Sequence, residues 1–186
     1  MEGQKKAGYE YLLVYKLTVA IYDLTVQFTE CFIDRYSRTR DQMVQAARSG
    51  MQNIVEGNRQ QGLKGYIKLS GVARGSLEEL LKDYFSFVRQ KKLEIFSKER
   101  VLGEIREIKE VWKILNTSKT LPDTPNFPNI PKDQKKAVNL MITLIKQANY
   151  LLDKLIASLK EKHMKEGGLS EELYRKRTEY RKNNHE

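Results

Sequence analysis

The chain has 186 residues, of which 40% are hydrophobic and 31% charged, a composition typical of a soluble globular protein. No apolar run reaches the roughly 18–20 residues that a membrane span needs, and the N-terminal stretch lacks the apolar block of a signal peptide. The net charge of +10 favours nucleic acid or another acidic partner.

Cysteine usage indicates the compartment. The single cysteine, Cys31, has no partner for an internal disulfide, which favours a reducing environment. Because Cys31 continues an apolar stripe between aromatic residues, we expect it to be buried and unreactive. The sequence therefore predicts a cytoplasmic protein.

Three long segments at the start of the chain have helical periodicity. Apolar residues recur every three or four positions in about 9–33, 40–59 and 64–92, and only short polar stretches separate these segments. No alternating pattern indicates a strand. We therefore expect three consecutive antiparallel helices.

The second half of the chain is predicted to close the bundle. A shorter helix fits 98–115, and all four prolines then fall within 121–131, which predicts a non-helical connector over 116–131. A long amphipathic helix follows at about 132–165, and a short charged helix restarts after the glycines at 167 and 168. The prediction is an all-α, antiparallel up-and-down four-helix bundle over 1–165 with an inserted helix, followed by a basic C-terminal helical extension at 166–186.

A polar cluster interrupts the apolar stripes of the second and third helices. On the second helix it comprises Ser49, Asn53 and Glu56, and small residues accompany it on both helices. Close approach of the two backbones would let these groups hydrogen-bond across the gap, with Arg48 or Arg74 supplying the charge that a buried carboxylate needs. We predict a structural polar network formed by Ser49, Asn53, Glu56, Gly57, Gly75, Ser76 and Glu79.

The catalytic alternative is a pair of carboxylates, Glu56 and Glu79, acting on a substrate or on two metal ions. Di-metal bundles use ExxH motifs, and neither His163 nor His185 stands in one. No phosphate-binding loop, nucleophile with a neighbouring base, or metal-ligand spacing is present. We therefore expect no catalytic residues, no metal site and no cofactor.

Two stretches resemble a known family. "QAARSGMQNIVEGNRQ" followed by "YIKLSGVARGSLEELL" is similar to the paired signature of the four-helix-bundle family of 23S rRNA intervening-sequence proteins, which includes the accessory variability determinants (Avd) of diversity-generating retroelements. The resemblance covers about residues 9–92. It implies an up-and-down bundle assembled as a homopentamer. In the retroelement branch it also implies binding to nucleic acid and to a reverse transcriptase.

The predicted function is a non-catalytic, oligomeric nucleic-acid-binding accessory protein. The segment 37–68 carries six Lys or Arg against two Asp or Glu, and 132–168 carries eight against four. RNA or DNA is the expected partner, with Tyr9, Tyr11 and Tyr66 as residues that either stack on bases or border the core. The predicted contacts are Arg38, Arg40, Arg48, Arg59, Lys64, Lys68, Lys82 and Arg89.

The alternative is a protein-interaction bundle without direct nucleic-acid binding. Its support is the mixed-charge helix at 98–115, which holds the only tryptophan, Trp112. An exposed Trp112 would be an interface anchor, whereas a buried one would seat this helix on the bundle.

Overall fold

The computed structural model describes residues 6–183, so the first five residues and the last three of the predicted tail lie outside it. A short 3₁₀ helix, Gly8–Tyr11, precedes seven α-helices in this range. They are α1 Leu13–Phe32, α2 Arg38–Asn58, α3 Leu63–Lys91, α4 Lys98–Glu104, α5 Arg106–Thr117, α6 Gln134–Glu166 and α7 Leu169–Asn183. The described residues contain no strand, and the all-α class is confirmed.

Four of these helices form the bundle. α1 packs against α2 and α6, and α3 packs against the same two helices from the opposite corner. Neighbours run antiparallel: Arg40 at the start of α2 lies 3.5 Å from Glu30 near the end of α1, and Arg74 of α3 bonds Asp153 of α6. The order α1–α2–α3–α6 is therefore up-and-down.

Aromatic side chains fill the end of the core where α1 and α3 finish. The ring of Phe28 lies 4.8 Å from that of Tyr84 and 5.1 Å from that of Phe87. Tyr84 is fully buried and its hydroxyl bonds Thr25 Oγ1 at 3.2 Å, while burial raises the pKa of the phenol. This cluster joins diagonal helices across the bundle.

Local sequence explains where the helices begin and end. The side chains of Ser37, Ser97 and Asp133 accept hydrogen bonds from backbone amides in the first turns of α2, α4 and α6. Lys92 ends α3 in the left-handed conformation, and Gly167, with φ of 78°, ends α6.

The inserted segment is two helices where the sequence predicted one. The chain leaves the helical conformation at Ile105, which has φ −110° and ψ 97° and is fully buried. The single helix predicted at 98–115 is therefore wrong: Gly103 weakens helix formation there, and burial of Ile105 turns the chain inward. α4 packs on α6, and α5 packs on α1 and α6.

The proline-rich connector packs against the bundle. Leu121, Phe127 and Ile130 are each at most 9% exposed, and the amide of Ile130 bonds Gln27 Oε1 of α1 at 2.9 Å. The segment is thus non-helical, as the prolines predicted, and still contributes to the core.

The position of Cys31 differs from the one predicted. Cys31 is exposed at the end of α1, so the prediction that it is buried was wrong, because the core-facing stripe ends at Phe28 and Thr29.

Among the described helices, none combines the length and apolarity required to cross a bilayer.

Candidate nucleic-acid interface

A small polar network joins the middles of α2 and α3. Ser49 Oγ lies 2.9 Å from Ser76 Oγ, and the amide group of Asn53 donates to Ser49 Oγ at 3.1 Å and to the Ser49 carbonyl at 2.9 Å. Ser76 also donates to the carbonyl of Val72. These side chains are half-buried, so the network lies at the edge of the helix interface.

Three residues predicted for the network do not belong to it. Glu56, Gly75 and Glu79 are exposed, and within residues 6–183 no hydrogen bond or ion pair links these two carboxylates to Ser49, Asn53 or Ser76. The prediction of buried carboxylates was wrong because the gap between the helices closes with apolar contacts beneath the serines. A Cβ on Gly50 would lie 2.6 Å from Leu77 Cδ2.

Close packing explains Gly57, the other glycine of α2 that was predicted for the polar network. A Cβ on Gly57 would lie 2.9 Å from Tyr66 Cδ2 and 3.3 Å from Leu69 Cβ. The Tyr66 hydroxyl in turn accepts from Asn58 Nδ2 at 3.3 Å, and burial raises the pKa of this tyrosine. Gly57 thus lets the start of α3 fold tightly back on the end of α2.

The two arginines considered as charge partners have other surroundings. Arg74 bonds Glu78 Oε2 at 2.9 Å and Asp153 Oδ1 at 3.2 Å, so it bridges α3 to α6. The hydrogen bond from Arg74 holds the pKa of Glu78 below its usual value. Arg48 is exposed on α2, and no Asp or Glu among residues 6–183 is buried enough to need it as a charge partner.

The structure separates the predicted nucleic-acid contacts into groups. Arg38, Arg40 and Arg89 lie at the end of the bundle where α2 begins and α3 finishes, whereas Arg59 and Lys64 flank the α2–α3 turn at the other end. Because α2 has 21 residues, these ends are roughly 30 Å apart. The middle positions are Arg48 and Lys82, and Lys68 is one turn beyond Lys64 on α3.

The α2–α3 turn carries exposed cations next to tyrosine rings that pack against each other. Arg59 follows the last residue of α2, and its guanidinium lies over the ring of Tyr9 at 5.8 Å. Tyr9 itself packs edge-on against Tyr15 with ring centroids 4.8 Å apart. Lys64 and Lys68 are exposed on α3 at i and i+4, which places them on one face.

The α6–α7 link meets this turn. A Cβ on Gly62 would lie 3.5 Å from Leu169 Cβ, and two clefts, of 730 Å³ and 600 Å³, both border this contact. The larger cleft contains Arg59, Lys64 and His163. The smaller one is lined with Lys162, Lys165 and Arg175 beside the carboxylates of Glu166 and Glu172. We call the five Lys and Arg side chains the junction surface: Arg59, Lys64, Lys162, Lys165 and Arg175.

Ion pairing leaves part of the junction surface available. Lys165 bonds Glu161 at 2.6 Å and Lys162 lies 3.7 Å from Glu166, so carboxylates on their own helix partly neutralise both. Arg59 and Lys64 have no ion-pair partner in the described part of the chain. Arg175 also lacks an ion pair among the described residues and donates to the carbonyl of Glu166 at 3.2 Å, so the junction cations without an ion pair are Arg59, Lys64 and Arg175.

Polar groups of the link face the same cleft. His163 Nδ1 is buried and has no hydrogen-bond partner within residues 6–183. The amide of Gly168 donates to Glu171 Oε2 at 2.8 Å, and backbone hydrogen bonds are the main cause that lowers the pKa of Glu171. Glu171 is the acidic residue that borders the larger cleft.

Sequence reasoning missed the contribution of α6 and α7 to this surface. The basic excess of 132–168 does not by itself assign Lys162 or Lys165 to a site, and Arg175 lies in the charged helix that follows this segment. The glycine stop at 167 and 168 was the available signal, because a chain reversal there returns α7 toward the α2–α3 turn. Only the packing reveals which end of the bundle it reaches.

The candidate stacking and anchor residues differ in exposure. Tyr11 is 50% exposed, whereas Tyr9 and Tyr66 are half-buried. Trp112 is also half-buried, and its indole N–H donates to Gln147 Oε1 of α6 at 3.1 Å. Within the described ranges, no three His, Cys, Asp or Glu side chains are grouped to hold a metal ion.

The fold and its motifs define an all-helical bundle protein with cationic residues at the turns. The family model of the 23S rRNA-intervening sequence protein matches residues 11–117, more than half of the chain, and the protein belongs to this family. The match includes α4 and α5 and stops before α6, although α6 is the fourth helix of the bundle. Neither a curated protein nor a solved structure matches the chain significantly.

Proposed function

We propose that this protein is a non-catalytic accessory protein that binds structured RNA or DNA through the junction surface. The observation that carries the proposal is the convergence of Arg59 and Lys64 with three cations from α6 and α7 beside open clefts. Phosphate groups are the natural counterions of such a surface, since each cation that contacts a phosphate releases a condensed counterion.

The junction surface suits a phosphate backbone better than a single small anion. Its cations come from α3, α6, α7 and the C-cap of α2, and they line two clefts that both border the Gly62–Leu169 contact. A nucleic-acid strand that crosses this contact would meet both groups of cations in succession. Tyr11 is half exposed and follows Tyr9, the ring that contacts Arg59, by two residues, so it is the aromatic side chain that we expect to stack on an unpaired base.

We also propose that the protein acts as a homo-oligomer, with a pentamer as the form that the family resemblance implies. Support comes from Gly71 and Gly75, which lie inside α3 with no atom within 4 Å of an added Cβ. Glycine inside a helix costs roughly 0.5–1 kcal/mol relative to alanine. No contact within the subunit requires these glycines, so we place an intersubunit contact along this face, where Val72 is 44% exposed.

A reverse transcriptase is the protein partner that we propose, by analogy with the retroelement branch of the family. Such an enzyme and its template RNA would both be drawn to an oligomer that repeats the junction surface. The test is co-purification of the two proteins expressed together from one locus, with and without ribonuclease. Failure to co-purify in either condition would remove the reverse transcriptase and leave the nucleic-acid proposal standing.

The central experiment measures nucleic-acid binding against salt. Filter binding to a structured RNA and to duplex DNA, between 50 and 300 mM salt, should give a linear fall of log K with log salt. The double charge reversal Arg59→Glu and Lys64→Glu should weaken binding strongly. It should also reduce the slope by about 1.5, since each lost phosphate contact removes roughly 0.7–0.9.

The matched control is Lys109→Glu with Lys113→Glu. Both lysines are exposed on α5 and have no ion pair in the described part of the chain, so the change in net charge is identical. Equal losses in the two double variants would refute the junction surface and leave only a general charge effect. No binding by the wild-type protein at 50 mM salt would favour the interaction bundle instead.

A further inference from the structure

An apolar groove lies between the inserted helices and α6, on a different surface from the junction. Its volume is 520 Å³, and its floor and walls include Phe96, Val101, Trp112, Ile142 and Leu151. Pockets that bind small organic molecules span roughly 300–1,000 Å³ and are mostly apolar with a few polar groups. The groove has this size and character.

Hydrogen bonds hold the walls of the groove in place. Asn139, 2% exposed, accepts from the amide of Phe96 at 2.8 Å and donates to the carbonyls of Glu94 and Lys135. Trp112 is fixed to Gln147 by its indole N–H. The groove is therefore preformed, and ligand binding would cost little free energy for ordering its side chains.

The two charged side chains that line the groove are both positive. Lys98 and Lys146 are exposed at its edge, and no Asp or Glu lines it. The nearby carboxylates Glu94 and Glu104 both bond Arg100, at 2.6 Å and 2.8 Å. Neither lysine has an ion pair among the described residues, and the Lys146 ammonium lies 5.4 Å from the centroid of the Phe85 ring. The groove therefore combines an apolar interior with positive charge that no carboxylate neutralises.

We propose that this groove binds a small amphipathic anion, a monocarboxylate with an aliphatic or aromatic body. The body would displace water from Phe96, Ile142 and Trp112, and the carboxylate would remain near Lys98 and Lys146. This second binding site is independent of the proposed nucleic-acid function, because none of its residues belongs to the junction surface.

The experiment uses the intrinsic fluorescence of Trp112. Since Trp112 is the only tryptophan and lines the groove, its emission reports occupancy directly. Hexanoate, octanoate and decanoate are titrated below their micelle concentrations, with calorimetry as a second readout. Affinity should rise about fourfold per added methylene until the groove is filled, and octanoate should bind more tightly than octylammonium.

Substitution of the two lysines at the edge of the groove tests whether they cause the preference for an anionic ligand. Lys98→Gln with Lys146→Gln should weaken octanoate binding about fivefold and remove the preference over octylammonium. Lys160→Gln, on an exposed part of α6 outside the groove, should leave both unchanged. Absence of saturable binding, affinity that ignores chain length, or equal affinity for acid and amine would each overturn the proposal.

Discussion

Replacement of Lys16 by methionine tests how the inserted helices are attached to the bundle. Lys16 of α1 is 6% exposed, and its ammonium donates to the carbonyls of Leu115 and Ser118 at the end of α5. The second of these bonds is 3.1 Å long. No carboxylate within residues 6–183 pairs with this lysine, so backbone carbonyls alone compensate the buried charge.

Two opposing effects determine how much Lys16→Met changes the free energy of unfolding. Hydrogen bonds to a charged group contribute about 1.5–3 kcal/mol each, so two give about 3–6 kcal/mol. Removing the ammonium also removes its desolvation cost, which is a few kcal/mol, while methionine retains most of the apolar contact. We expect a net loss of about 2 kcal/mol, which is roughly 4–8 °C in Tm for a chain of this size.

The assay is urea denaturation followed by circular dichroism and by Trp112 fluorescence. Lys109→Met, an exposed site on α5, is the control and should change stability by less than about 0.5 kcal/mol. A Lys16→Met protein as stable as the control would refute the attachment. Since α5 carries Trp112, its fluorescence transition should come at lower urea than the helical signal if α5 detaches first.

The burial of Lys16 also predicts the direction in which stability changes with pH. Burial lowers the pKa of Lys16 in the folded protein, so between that value and its unfolded pKa the unfolded chain binds more protons. The stability of the wild type relative to Lys16→Met should therefore increase as the pH rises toward 10.5, the usual pKa of lysine. A decrease over this range would mean that the fold favours the charged form.

The remaining predictions concern packing and polar satisfaction, all measured by urea denaturation. Gly50→Ala should destabilise by about 1–3 kcal/mol because its Cβ would overlap a leucine of α3. Gly75→Ala should raise the stability of the isolated subunit by about 0.5–1 kcal/mol when it is measured at a protein concentration too low for assembly, and the same sign for both would contradict the packing. Glu56→Ala should change stability by less than about 0.5 kcal/mol because this carboxylate is exposed, and Ser49→Ala should cost about 1 kcal/mol through its lost hydrogen bonds; a larger effect at Glu56 would restore the buried-carboxylate hypothesis. Asn139→Ala should cost about 2–3 kcal/mol, since it leaves a buried backbone amide without an acceptor, and a neutral result would show that water replaces the amide oxygen.

Periodicity was sufficient to predict the bundle helices. The apolar spacing along α1, α2, α3 and α6 is the spacing that a helix needs to bury one face, so it is present in the sequence itself. The prolines at 122, 125, 128 and 131 likewise predicted the non-helical connector, because proline removes backbone donors.

Burial of individual polar residues depends on how closely two helices approach, which the pattern of one helix does not contain. Glu56 lies near the apolar stripe of α2 but is exposed, because Gly50 lets Leu77 fill the space beneath the serines. The break at Ile105 has the same origin. Its burial depends on the surface that α1 and α6 present to the inserted segment.

The grouping of charges also came from the tertiary structure. The sequence determined how many cations the chain carries and on which segments they lie. Only the antiparallel packing brought Arg89 of α3 to the end of the bundle where Arg38 begins α2, and Arg175 of α7 to the α2–α3 turn. Electrostatic recognition depends on distances in space, and those distances are fixed by helix length and by the direction in which the chain returns.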